Sequence, residues 1–103
     1  MIVQDWNIHQ VGIFVCKNCQ NELFSTNRQD KYKTVFMQPF SEHSIEKTEI
    51  TTNPNHYAFE MGKVVCQNCQ VLLGKFEFGE WGIAGMVTLY TIDPNLLWLK
   101  IKD

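Results

Sequence analysis

Apolar residues along this chain recur at every second position or in short runs, and each run stops at a turn-forming cluster. That pattern predicts strands rather than helices. Gly12-Ile13-Phe14-Val15 reads as a strand, as does Thr34-Val35-Phe36-Met37 before Pro39. Thr48 to Thr52 is rich in β-branched residues and ends at Asn53-Pro54-Asn55. Tyr57 to Glu60 and Lys63 to Val65 read as two further strands, and Gly74-Lys75-Phe76-Glu77-Phe78 alternates polar and aromatic. Met86 to Ile92 and Leu96 to Ile101 flank Asp93-Pro94-Asn95, which predicts a closing hairpin. No window of about eleven residues carries a helical period. One helical turn is predicted around Pro39 to Glu46, with Ser41 as its cap. The chain reads as mainly β.

Length turns this pattern into one small domain spanning 1–103, with a thin core. At 45% hydrophobic and 19% charged residues the chain is globular rather than disordered. No apolar run approaches the roughly 20 residues of a membrane span. Asp5 and His9 fall where a secretory signal needs an apolar stretch, so the expected location is intracellular, in cytoplasm or nucleus. A net charge of −2 runs against a nucleic-acid binder, whose affinity comes largely from neutralising phosphates.

The chemistry concentrates in four cysteines, Cys16, Cys19, Cys66 and Cys69, arranged as two C-x2-C pairs. Two residues between thiolates let a tight knuckle aim both sulfurs at one ion, and two knuckles complete a tetrahedral set. The pairs also repeat each other. Val15-Cys16-Lys17-Asn18-Cys19-Gln20 is followed by Leu23, and Val65-Cys66-Gln67-Asn68-Cys69-Gln70 by Leu73, at an offset of 50 residues. One closed, structural zinc ion is therefore expected, held where two small sheets meet.

Two such clips, Leu73-Gly74 after the second, and a β-rich remainder resemble the zinc-bound β-tent superfamily. It includes Yippee-like proteins, the thalidomide-binding domain of cereblon, methionine sulfoxide reductase B and the C-terminal domains of RIG-I-like receptors. The resemblance implies two small antiparallel sheets joined at a four-cysteine site. Families on this scaffold differ widely in function.

Clip spacing is most similar to methionine sulfoxide reductase B. That family needs a nucleophilic cysteine beyond the zinc ligands. All four cysteines here are in the clips, and the corresponding stretch reads Leu89-Tyr90-Thr91-Ile92-Asp93, with Thr91 near the nucleophile's place. The family's Gly-Trp-Pro segment is also absent between Cys19 and Cys66. On these grounds the sequence predicts no enzymatic activity. His9, His43 and His56 are isolated and suggest no catalytic triad.

The resulting expectation is a non-enzymatic adaptor that binds a protein partner or a second copy of itself. Its proposed contact residues are Trp98, Leu97, Leu99 and Trp81, because Leu96-Leu97-Trp98-Leu99 is apolar on both strand faces. The competing reading for that strand is ordinary core, covered by the N-terminal segment with Trp6 and Ile8. The alternative function is recognition of duplex RNA ends, as in RIG-I-like receptors, by Lys63, Lys100, Lys31, Lys33 and Arg28. A cereblon-like aromatic cage, built from Tyr57, Phe59, Phe76, Phe78 and Trp81, ranks third.

Overall fold

A computed structural model describes residues 1–7, 9–26, 35–53 and 58–101. Among the described residues nine strands form two antiparallel sheets. They are β1 (Ile2–Val3), β2 (Gly12–Cys16), β3 (Glu22–Ser25), β4 (Val35–Phe36), β5 (Ile45–Thr52), β6 (Ala58–Cys66), β7 (Leu72–Glu80), β8 (Met86–Ile92) and β9 (Leu97–Ile101). The four-stranded sheet runs β1-β9-β2-β3 and the five-stranded sheet runs β4-β8-β7-β6-β5. Among the described residues the only helical elements are short 3₁₀ turns, so none is long and apolar enough to cross a membrane.

The core lies between the sheets. Phe14 of β2, Phe24 of β3, Phe36 of β4 and Tyr90 of β8 form a connected aromatic group. Phe24 stacks on Phe36 with ring centroids 4.3 Å apart, and Phe14 meets Phe36 edge-on at 5.6 Å. Such pairs add roughly 0.5–1.5 kcal/mol beyond the area they bury. Phe76, of the aromatic cage considered above, is also fully buried. It is core, and Tyr57 lies outside the described residues.

Three expected elements come out differently. Met86 to Ile92 and Leu96 to Ile101 are strands, but they do not form a hairpin. β8 pairs with β7 and β4, whereas β9 pairs with β2 and β1. Asp93-Pro94-Asn95 is therefore the crossing between sheets. Its geometry is a 3₁₀ turn in which the Asp93 side chain accepts from the Asn95 N–H at 2.9 Å. The two strands expected at Tyr57 to Glu60 and Lys63 to Val65 are, over the described residues, one strand from Ala58 to Cys66, with Gly62 inside it. A Cβ on Gly62 would sit 2.7 Å from the Thr48 carbonyl oxygen and 2.8 Å from the Phe76 ring. The glycine admits a close approach rather than ending the strand. The turn near Pro39 is shorter than expected: Ser41 Oγ accepts from the His43 N–H at 3.1 Å, and β5 begins at Ile45.

The crossing of β9 into the other sheet decides the fate of the proposed contact residues. Leu97 and Leu99 are 1% and 0% exposed and point into the core, so neither offers an outer docking surface. The Trp6 indole N–H donates to the Leu97 carbonyl at 3.2 Å, and its ring meets Phe14 at 4.5 Å. The N-terminal segment therefore reaches this strand through β1 and Trp6, while Ile8, the other residue of the competing reading, lies outside the described residues. Trp98 and Trp81 are half-buried.

Candidate metal centre

Both clips are built the same way. In the first, the Cys16 N–H donates to the Asn21 carbonyl at 2.9 Å and the Gln20 N–H to the Cys16 carbonyl at 2.7 Å. In the second, the Cys66 N–H donates to the Val71 carbonyl at 3.0 Å and the Gln70 N–H to the Cys66 carbonyl at 2.8 Å. Each loop closes through a left-handed glutamine, Gln20 at φ 64° and Gln70 at φ 67°. Backbone N–H groups of Asn18 and Cys19 then point at the Cys16 sulfur, and those of Asn68 and Cys69 at the Cys66 sulfur. N–H groups aimed at sulfur stabilise the thiolate that a metal needs.

The four Sγ atoms lie within 4.8 Å of one another. Cys16 and Cys69 are 3.7 Å apart, and Cys19 and Cys66 are 3.5 Å apart. Four sulfurs about 2.3 Å from one zinc ion stand about 3.8 Å from each other in a tetrahedron. The donor set, the spacing and the converging N–H groups all fit one zinc ion, so the expected structural zinc site is present. It joins the two sheets, because Cys16 ends β2 and Cys66 ends β6.

Proton affinities within the cluster diverge. Burial pushes the Cys16 thiol up to about 12, and burial also raises Cys66. A hydrogen bond from the Asn18 side chain holds Cys69 down to about 6. Zinc binding therefore displaces protons from the two buried thiols near neutral pH, while Cys69 is already thiolate.

Ser44 and Asn21 complete the site, and sequence reasoning passed over both. Ser44 is fully buried, and its hydroxyl donates to the Glu22 carbonyl at 2.6 Å while accepting from the Ser41 N–H at 3.0 Å. Its carbonyl accepts from the Gln67 N–H at 3.2 Å and from the Asn21 side-chain amide at 3.1 Å. The Asn21 amide also reaches the Cys66 sulfur at 3.8 Å. These two residues tie the first clip to the second. One signal was available: Asn21 stands where the repeat has Val71, the kind of mismatch that marks a specific polar contact.

The lysines proposed for RNA do not converge. Lys63 sits on β6 and pairs with Glu49 at 3.1 Å, whereas Lys100 sits on β9 in the other sheet and pairs with Glu22 at 3.6 Å. Arg28, Lys31 and Lys33 lie outside the described residues.

The SelR domain family matches residues 2–86. No curated protein matches the chain. The family match overturns the expected non-enzymatic adaptor, and with it the RNA-binding alternative. The expectation of no activity rested on the lack of a cysteine beyond the four in the clips, with Thr91 near the nucleophile's place, and on the missing Gly-Trp-Pro segment, whereas the family pattern runs through both clips and the strands between them. Most of the chain carries that pattern, and it belongs to the SelR family, the methionine-R-sulfoxide reductases.

Proposed function

We propose that this domain reduces methionine-R-sulfoxide at the expense of a thiol from outside the chain. The observation that carries the reading is the SelR match over residues 2–86. The external thiol follows from composition, because the only four cysteines are the four of the metal cluster. The balance is that of a dithiol reduction. One thiolate attacks the sulfoxide sulfur, the S–O bond breaks, and the oxygen leaves as water after taking two protons. The second thiol then displaces the thioether, so the sulfoxide becomes a sulfide and the dithiol a disulfide.

The chain's own contribution is to hold the sulfoxide and donate to its oxygen. Support comes from the five-stranded sheet, where Lys75 of β7 stands directly across from Thr91 of β8, and Val35 of β4 flanks Thr91 on its other side. Opposed residues on one sheet face have Cβ atoms about 5 Å apart. A hydroxyl and an ammonium at that spacing can both donate to one sulfoxide oxygen, lowering the charge that develops as the S–O bond breaks. Lys75 is exposed, and its ammonium stands 3.9 Å from the Glu77 carboxylate, at the outer limit of an ion pair. Zinc holds the two sheets together and takes no part in the transfer.

The test uses zinc-loaded protein, a peptide carrying methionine-R- or methionine-S-sulfoxide, and dithiothreitol, with products separated by chromatography. The expected result is R-selective, dithiol-dependent conversion, at least tenfold faster in Thr91→Cys, which places a thiol in the chain. Conversion by the wild-type protein no faster than with dithiothreitol alone overturns the proposal.

A further inference from the structure

We propose that a cavity beside the first clip binds a small apolar or aromatic carboxylate. The cavity holds about 420 Å³ and is lined by Cys16, Lys17, Asn18, Val71, Leu96 and Trp98. That volume falls within the roughly 300–1,000 Å³ of small-molecule sites.

The near-repeat of the clips shows why there is space here. At each clip, the N–H after the first cysteine is tied to a neighbouring turn: Gln67 N–H to the Ser44 carbonyl, and Lys17 N–H to the Leu96 carbonyl at 2.9 Å. At the second clip the intervening space is taken by the Asn21 amide, which donates to the carbonyls of His43 and Ser44. The position 50 residues later is Val71, which has no polar atom to offer. The first clip thus keeps an apolar recess walled by Val71, Leu96 and Trp98, all half-buried.

Charge sets the class of ligand and its direction. Lys63, Lys75 and Lys100 each have a carboxylate partner, and Lys47 lies over the Phe76 ring at 4.9 Å. Among the described residues Lys17 has no carboxylate within 4.0 Å, and it stands at the cavity rim, exposed. The Asn18 side chain is engaged with Cys69, so Lys17 is the rim group left to take an anion. The recess behind Lys17 is walled by the apolar side chains of Val71 and Leu96, which give a carboxylate placed deep no counter-charge. The ligand therefore enters apolar end first, its body against Trp98 and Val71, and leaves its carboxylate at the Lys17 ammonium.

The experiment titrates zinc-loaded protein with phenylacetate and, separately, with phenylacetamide, following backbone and indole N–H signals by NMR. The expected result is saturable shifts at Lys17, Val71, Leu96 and the Trp98 indole, with the carboxylate bound at least fivefold more tightly than the amide. Lys17→Gln should erase that preference without loss of zinc, and Val71→Trp should abolish binding of both by filling the recess. Absence of saturable shifts up to about 10 mM ligand overturns the proposal. So does equal binding of acid and amide to the wild-type protein, or shifts clustered on another face.

Discussion

Gln20 and Gln70 adopt the same left-handed backbone conformation, φ 64° and 67°, at equivalent places in the two metal clips. Each closes its loop by donating its N–H to the carbonyl of the first cysteine of its own pair. A non-glycine residue costs roughly 1–2 kcal/mol in that region. Gln20→Gly and Gln70→Gly are therefore expected to stabilise the zinc-loaded protein by about 0.5–1 kcal/mol, less the extra entropy glycine gives the unfolded chain. Gln70→Val should destabilise it by about 2 kcal/mol or more. Urea unfolding of the three variants checks this, and the order Gly, Gln, Val is the required outcome.

Metal content gives the second prediction. One zinc ion per chain is expected by elemental analysis of reduced protein. Structural zinc contributes on the order of 10 kcal/mol in small metal domains, so Cys66→Ser should abolish both the bound metal and cooperative unfolding. A folded, reduced wild-type sample with less than half an equivalent of zinc would refute the assignment.

Proton release follows from the divergent thiols. Cys16 and Cys66 are raised by burial, and Cys69 is held at about 6. For Cys69 the folded value lies below the ordinary 9.0, so its contribution to the metal-free fold is present at high pH and lost as pH falls through about 6. For Cys16 and Cys66 the sign is opposite: the folded state favours the protonated thiol, a stabilisation present below 9.0 and lost as pH climbs through the raised folded values. Zinc must expel those protons. Adding zinc to metal-free protein at pH 7 in weak buffer should release at least two protons per ion. Apparent affinity should fall steeply on acidification.

Ser44 supplies a stability prediction away from the metal. Ser44→Ala removes the 2.6 Å bond to the Glu22 carbonyl and the acceptor for the Ser41 N–H. Leaving buried partners unsatisfied costs about 1–3 kcal/mol. The loss should appear in thermal or urea unfolding with zinc content unchanged. A neutral substitution would mean the Ser41–Ser44 turn does not anchor the second clip.

The sequence by itself determined the metal ligands, the strands other than β1 and β3, and the likeness of the two clips, since each rests on local chemistry. C-x2-C spacing makes a knuckle whatever surrounds it. The alternation in Gly74 to Phe78 fixes a strand through its own period of two, and the short β-rich apolar run Met86 to Ile92 fixes another. Tertiary structure decided what each strand pairs with. Asp93-Pro94-Asn95 looked like a hairpin turn because hairpins and inter-sheet crossings use the same residues, and only the choice of neighbour separates them. That choice sent Leu97 and Leu99 into the core under Trp6 and left Trp98 beside the first clip. Ser44 was invisible, and Asn21 showed only as a mismatch in the repeat, for the same reason: a polar side chain gains its meaning from partners distant in sequence, here Glu22 for Ser44 and Cys66 for Asn21. Local pattern reports the conformation a segment prefers. Which surfaces meet depends on how the whole chain buries its apolar faces at once, and no single segment carries that information.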